Sequence, residues 1–418
     1  MKEAIKAIIK DFHNRGAPQT IERNTRLPLN SGKIITIIGA RRAGKTYILY
    51  QTMPKITDIT NIIYINFEDE RLEISSKELN QIIEAYFEMY PNKTEEELFF
   101  FFDEIQEING WEKFIRRVYD TISKNIFITG SSSKLLSKEI ATSLRGRTIS
   151  YEVFPLSFKE YLRFTKTEED IHSTKGKAKM LASFDEYLQK GGFPELANMD
   201  REIYEKSLRN YFEVMIYRDI IERYGISDPI PLKLFAKKLI SNTAKEFSVN
   251  RIFNSLKSEG IKISKDTLYK FLDYCNDAYL IMPIANFSET PTKQTIKKAY
   301  CIDTGLSSLL SFALSKDKGR LFENIIFLEL KRKEKEIYYY KDKFECDFIL
   351  KSKDKITQAI QACYELNEDN QQREINGIKE AMKRFKLKKG LILTLSQEKT
   401  IDGIQVLPAY KWLLDAKT

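Results

Sequence analysis

KIITIIGARRAGKTYIL, residues 33–49, sets a β-branched run, a glycine-bounded loop and a helix-forming run in direct succession. Within it, Gly39-Ala40-Arg41-Arg42-Ala43-Gly44-Lys45-Thr46 has the G-x-x-x-x-G-K-[ST] spacing, which binds phosphate when a strand precedes it and a helix follows. Lys33 to Ile38 supplies the strand, and TYILYQTM from Thr46 supplies the helix. In that context the loop N–H groups and the helix N-terminus cradle phosphate, Lys45 neutralises the β/γ oxygens, and the Thr46 hydroxyl ligates Mg²⁺. The competing reading, a glycine turn with a chance lysine, leaves both flanks unexplained.

Three further apolar runs follow at α/β spacing: NIIYINFED (61–69), ELFFFFDEIQ (97–106) and NIFITGSSS (125–133). Each ends in polar residues. Parallel strands hold ligand-binding groups at their carboxyl ends, so these tails are expected to converge beside the phosphate loop. Asp103 then falls where a metal-linked carboxylate is needed, and Glu104 where a second carboxylate polarises water for attack on a γ-phosphate. That pair favours hydrolysis over simple nucleotide binding. Ser131 or Ser132 would stand at the tip of the neighbouring strand to hold the attacking water or the γ-phosphate, while a turn and helix cap would use the same residues. In SLRGR, Arg145 and Arg147 suit arginine fingers, in cis or across a subunit interface.

At 418 residues the chain is long enough for roughly two or three domains. Hydrophobic residues at 42% and charged residues at 30% exclude a disordered chain. No apolar run approaches the about 18 residues of a membrane span, and the N-terminus lacks a cleavable-signal pattern, so no membrane partner and a cytoplasmic location are expected. Four scattered cysteines and two histidines argue against a disulfide framework, a zinc site and histidine-based chemistry. The formal charge of +9 fits a nucleic-acid partner without establishing one.

The series GARRAGKT, YINFEDERL, FFFFDEIQEINGWEKFIRRVYD, IFITGSSSKLLSKEIATSLRGR, YEVFPLSFKEYL and YLQKGGFPE resembles the archaeal and bacterial P-loop ATPases of the AAA+ type, with an AAA_14-like core and a C-terminal DUF4143 region. The resemblance implies Walker A at Gly39 to Thr46 and Walker B at Asp103 and Glu104. It also implies a sensor at Ser131 or Ser132 and a nucleotide-sensing or interface arginine at Arg145 or Arg147. ATP as the nucleotide comes from the resemblance alone.

Further along, TKTEEDIHSTKGKAKM (165–180) is polar enough to read as a loop or mobile insert, and Gly191-Gly192-Phe193-Pro194-Glu195 as a sharp turn that Glu195 stabilises, with a place at the nucleotide pocket as the alternative for Glu195. Tyr211, Val214, Met215, Tyr217, Ile220 and Ile221 form a core stripe at helical spacing. Then LKLFAKKLISNTA, a run opened by Ser248 and closed at Gly260, and a run opened by Ser264 give three helices in helix-turn-helix order; YLIMPIANF and KKAYCID could add the hairpin of a winged variant. Lys265, Thr267, Tyr269 and Lys270 would then face a DNA groove, although the same fold also serves for packing and dimerisation. Downstream, Glu323, Asp347 and Gln361 outline a PD-(D/E)XK nuclease core, which the DUF4143 region resembles. Gln361-Ala362-Cys363 replaces the acid-x-lysine that cleavage needs, and Glu365 is the remaining metal-capable residue on that face. A basic patch, Lys383 to Lys389, follows.

The expected fold is therefore α/β: a P-loop AAA+-like parallel-sheet core (1–160), a helical extension (161–228), a winged-helix domain (229–297) and a catalytically degenerate, restriction-endonuclease-like α/β domain (298–418). The expected activity is hydrolysis of ATP with Mg²⁺, coupled to DNA or a DNA-associated partner through the winged helix and basic patches. A nucleotide-gated switch that binds a protein partner, an ATP-dependent nuclease, and homo-oligomerisation stand beside it.

Overall fold

The computed structural model describes residues 1–130, 144–288, 295–311 and 317–414. They form two compact units, Met1–Val153 and Phe154–Thr418. Among the described residues no helix is long and apolar enough to cross a membrane.

The first unit runs α1 (Lys2–Arg15), β1 (Ile34–Gly39), α2 (Lys45–Thr52), β2 (Ile62–Asn66), α3 (Asn80–Met89), β3 (Phe99–Asp103), α4 (Glu112–Thr121), β4 (Ile126–Gly130) and β5 (Thr148–Val153). The strands make one sheet in the order β2-β3-β4-β1-β5, every pair parallel. β1 and β4 are buried along their whole length, as continuous Ile/Phe runs require when helices cover both faces. Phe101 and Phe127 stack across neighbouring strands at 4.6 Å. Because β1 pairs with β4 on one side and β5 on the other, the chain reverses direction of winding at β1, and the carboxyl end of such a strand is where open parallel sheets hold their ligands. α1 buries Ile5, Ile8, Ile9 and Phe12, one face at i, i+3, i+4, i+7 spacing, against β2 and α3. Its His13 is held between the Ile62 carbonyl, which Nε2 must donate to, and the Tyr90 hydroxyl at Nδ1, both at 2.8 Å.

The second unit runs α5 (Phe158–Phe164), α6 (Thr174–Lys190), α7 (Arg201–Val214), a π-helical continuation (Met215–Glu222), α8 (Pro229–Ser241), β6 (Glu246–Phe247), α9 (Val249–Ser258), α10 (Lys265–Asp277), β7 (Ile281–Ala285) and β8 (Lys297–Cys301). It continues with α11 (Thr304–Leu310), α12 (Lys318–Arg332), β9 (Glu336–Lys341), β10 (Glu345–Ser352), β11 (Lys355–Ala362), α13 (Glu368–Phe385), β12 (Leu391–Thr394), β13 (Lys399–Ile401), β14 (Ile404–Pro408) and α14 (Ala409–Leu414). β6-β8-β7 is an antiparallel three-stranded sheet, and β13-β14-β12-β11-β10-β9 a mixed six-stranded one. In the larger sheet β11, β12 and β14 run parallel, while β9, β10 and β11 are antiparallel neighbours. Ser248 and Ser264 cap α9 and α10 through N–H groups three residues on, where the sequence places those starts.

Two expectations are corrected. The polar stretch 165–180 is a loop only as far as Ser173, whose hydroxyl caps α6 by accepting from the Gly176 N–H at 2.9 Å; a cap overrides composition here. In the stripe, Tyr211, Met215 and Ile220 are buried, but Val214 and Tyr217 are 38% and 41% exposed while Ile216 and Asp219 turn inward. The π-helix over Met215–Glu222 shifts the phase that a 3.6-residue period assumes.

The Gly191-Gly192 turn is fastened by Asp303, the N-cap of α11. The Gly192 N–H donates to its carboxylate at 2.7 Å, and a Cβ on Gly191 would lie 2.2 Å from the same group. Gly191 also has φ 74°, so Gly191→Ala combines a clash with a left-handed backbone, a strain of about 1–3 kcal/mol on its own. Burial pushes the Asp303 carboxyl up to about 6 from 3.8, against the pull of the Gly192, Leu306 and Gly305 N–H groups. Between those values the folded chain holds a proton that the unfolded chain has lost, so this group makes stability fall as pH rises from about 4 to about 6. Asp303→Asn should remove that slope: urea midpoints of the variant should gain on the wild type across that window, and parallel curves would show that the carboxyl is not buried this way.

Candidate functional site

The phosphate loop leaves β1 at Gly39, whose φ is 147° and where a Cβ would lie 2.1 Å from the Val153 carbonyl oxygen, so only glycine fits. The loop turns through Arg42 at φ 66° and enters α2 from Gly44 at φ 94°. Lys45 is buried and folds back over the loop, with Nζ 3.3 Å from the Gly39 carbonyl, 3.1 Å from that of Ala40 and 3.9 Å from Glu104 Oε1. The loop is braced from outside: Arg23, buried, donates from Nη1 to the Ala43 carbonyl at 2.8 Å, and Gln51 of α2 bonds the backbone of Arg23 and Thr25. Arg41 approaches Glu68 at 3.7 Å.

At the carboxyl end of β3, Asp103 is 1% exposed and accepts from the Tyr64 hydroxyl at 3.1 Å, from the Thr129 hydroxyl and from the Thr46 side chain. Burial pushes its carboxyl up, the neighbouring Glu104 charge adds to that, and the three hydroxyls oppose it. Glu104 takes φ 52°, turning its side chain off the strand line toward Lys45. Its N–H donates to Thr129 Oγ1 at 2.9 Å, and Gln106 Nε2 donates to its Oε2 at 2.5 Å. Lys45, Thr46, Asp103 and Glu104 are thus brought together by two parallel strands and one helix start. The Thr46 hydroxyl lying against the Asp103 carboxylate is a pair of hard oxygen donors, which fits Mg²⁺ completed by waters and phosphate oxygens.

Sequence reasoning missed Tyr64, Thr129 and Arg23. Tyr64 and Thr129 are polar members of largely apolar strands, a faint signal that strand propensity hides, and nothing local marks Arg23. Ser131 and Ser132 lie outside the described residues. Arg145 and Arg147 are not brought to the site of their own chain. The Ile34 N–H donates to the Arg147 carbonyl at the amino end of β1, and β1 spans about 17 Å before the loop begins. Arg147 pairs with Asp120 at 3.2 Å, and Arg145 is exposed at φ 52°. That places both at the opposite end of β1 from the phosphate loop.

In the second unit Glu323, Asp347 and Gln361 do converge, but around Lys298 of β8, an ammonium that the sequence did not place there. Burial alone would lower Lys298; Asp347, Glu323 and Glu345 outweigh it and hold it well above the ordinary lysine range. Cys363 donates to the Glu365 carbonyl and burial pushes its thiol up to about 12, so it is an inert buried group. Glu365 is exposed, because β11 ends at Ala362 and the two-residue alternation that put it on the face of Gln361 ends with the strand.

A glycine loop between a parallel strand and a helix, with Lys45, Thr46 and an acidic pair at the next-but-one strand, defines a P-loop ATPase of the AAA type. The chain matches the AAA domain family AAA_14 over residues 31–162 and two domains of unknown function, DUF8612 over 181–317 and DUF4143 over 318–412. It is 42% identical over 414 residues to the uncharacterized protein MJ1544 of Methanocaldococcus jannaschii, covering 95% of this chain and 91% of that one. An uncharacterized protein of Haemophilus influenzae is 31% identical over 392 residues, covering 91% and 94%. Among solved structures, the Walker-type ATPase paby2304 of Pyrococcus abyssi is similar at 17% identity, with a TM-score of 0.42 over 67% of this chain and 91% of that one. The chain belongs to the family of AAA-type P-loop ATPases with a C-terminal DUF4143 region.

Thr129→Val deletes the hydroxyl that serves both Asp103 and the Glu104 N–H. Outer partners of a metal site are typically worth about 10–100-fold in metal affinity. A loss on that scale is expected in Mn²⁺ titrations of the nucleotide-loaded variant, with an unchanged far-UV spectrum. An unaltered titration would show that Thr129 is only a strand residue.

Proposed function

We propose that this chain hydrolyses ATP with Mg²⁺ and couples turnover to DNA or a DNA-associated partner. The convergence of Lys45, Thr46, Asp103 and Glu104 at the carboxyl ends of β1 and β3 carries the reading. The loop N–H groups of residues 39–46 bind the phosphates. Lys45 exchanges the Gly39 and Ala40 carbonyls for β/γ oxygens, gaining a charged partner in a site with little water. Thr46 and Asp103 hold the cation's inner or water shell; when bound, Mg²⁺ neutralises charge on the transferring phosphoryl group. Glu104, tethered by Gln106 and Thr129, accepts a proton from the attacking water. Ser131 or Ser132 is proposed as the γ-phosphate sensor, and Arg145 as a finger reaching a neighbouring subunit of a homo-oligomer.

For DNA, we read α8, α9, α10 and the β6-β8-β7 sheet as a winged helix with α10 presented outward. Lys265, Tyr269 and Lys270 are exposed on it, and the last turn of α13 adds Lys383 and Arg384. A protein partner is the second reading, favoured by Val214, Tyr217 and Ile230, which leave large apolar side chains exposed in the same unit.

Phosphate release from Mg²⁺-ATP tests the first claim. Lys45→Ala should abolish nucleotide binding, and Glu104→Gln should keep binding while turnover falls by about 100-fold or more, the range that starts at about 100-fold for a lost general base. Full turnover in Glu104→Gln would remove it from catalysis. Double-stranded DNA should raise the wild-type rate, and Lys265→Glu/Lys270→Glu should cancel the increase. A rate indifferent to DNA would turn the search to a protein partner. If Arg145 acts across subunits, turnover per chain should climb with protein concentration and stay low at all concentrations in Arg145→Ala.

A further inference from the structure

The second unit buries charge that nucleotide chemistry does not use. Lys298 of β8 is 2% exposed, and its Nζ lies 2.9 Å from Glu323 Oε1 of α12, 2.7 Å from Glu345 Oε1 and 2.8 Å from Asp347 Oδ1, both of β10. An ammonium has three protons to donate, and three carboxylates from two elements meet them. The rest of the cluster is also committed. Tyr300 donates to Glu323 at 2.7 Å, and the second Asp347 oxygen accepts the Ala362 N–H at 3.0 Å. Gln361 accepts the Asp347 N–H at 3.2 Å and donates to Glu374 at 2.6 Å.

A nuclease of the kind this unit resembles needs a divalent cation between its two carboxylates. The residues present do not fit one. Mg²⁺ requires a near-octahedral shell of oxygens at about 2.0–2.1 Å with several retained waters, and an ammonium at the centre of the same carboxylates repels the ion and fills the water positions. A lysine that activates water would instead need a reacting phosphate beside it, whereas Lys298 and Asp347 are 2% and 5% exposed. We propose that Lys298 is the permanent cation of this cluster: the unit binds no divalent metal there and cleaves no nucleic acid, and removing the ammonium turns the same carboxylates into a divalent-cation site.

The test uses the full chain free of nucleotide, so that the phosphate loop contributes no metal site, with Mn²⁺ as the probe followed by calorimetry. Wild-type protein should show no saturable Mn²⁺ uptake that depends on Asp347, and should leave plasmid DNA intact in Mn²⁺ or Mg²⁺. Lys298→Ala should acquire saturable Mn²⁺ uptake that the wild type lacks, and Lys298→Ala/Asp347→Asn should lose it. Where Lys298→Ala yields no folded chain, Lys298→Gln carries the same comparison, because its amide keeps a polar side chain without the charge. Wild-type Mn²⁺ binding or plasmid nicking that Asp347→Asn abolishes would overturn the proposal. So would a folded Lys298 variant that takes up no Mn²⁺.

Discussion

A carboxylate at the end of a buried strand has to be satisfied by the protein, because desolvating it without partners costs several kcal/mol. Asp103 is that group, and the first unit is organised around its donors. Tyr64 comes from β2, Thr129 from β4 and Thr46 from α2, one from each element that borders β3 or follows β1. Parallel pairing makes this arrangement available: the register Asn66 with Asp103 and Phe102 with Ile128 brings the carboxyl ends of three strands level. An antiparallel neighbour would present its amino end and a different set of side chains. The same alignment sets Glu104 against Lys45, so the requirement to satisfy one buried anion also brings the acidic pair and the loop lysine together.

The second unit solves the same electrostatic difficulty in two other ways. Asp303 is held by backbone N–H groups from the glycine turn and from the start of its own helix, which makes Gly191 and Gly192 partners of a side chain more than a hundred residues away. The Glu323, Glu345 and Asp347 group is held by an internal ammonium. A buried charge matched in this way resists substitution on either side, since removing one partner exposes the other to the full desolvation cost.

Much of this was legible in the chain itself. The spacing from Gly39 to Thr46 between a β-branched run and a helical one locates β1, the loop and α2. FFFFDE puts Asp103 and Glu104 at a strand end, and Ser248 and Ser264 mark helix starts. These signals are local: a cap, a period or a spacing is read within a few residues. Where a local signal was outvoted by another, the reading failed. Ser173 caps a helix inside a stretch whose composition suggested a loop, and the π-helix at Met215–Glu222 shifts the phase of a stripe that counts as α-helical in sequence.

What the sequence determined by itself was the phosphate loop, its acidic pair, the strand-helix alternation and the helix caps, because each is written in neighbouring residues. Only the tertiary structure decided that Thr129 and Tyr64 serve Asp103, that Arg23 braces the loop, that Arg145 and Arg147 lie at the far end of β1 from it, and that Lys298 stands among three carboxylates. Lys298 and Asp347 are 49 residues apart, and Arg23 and Ala43 are 20. Nothing in a stretch of lysines or a lone arginine says which distant anion or carbonyl it will meet. Strand order and helix docking choose the partner, and burial makes the choice binding.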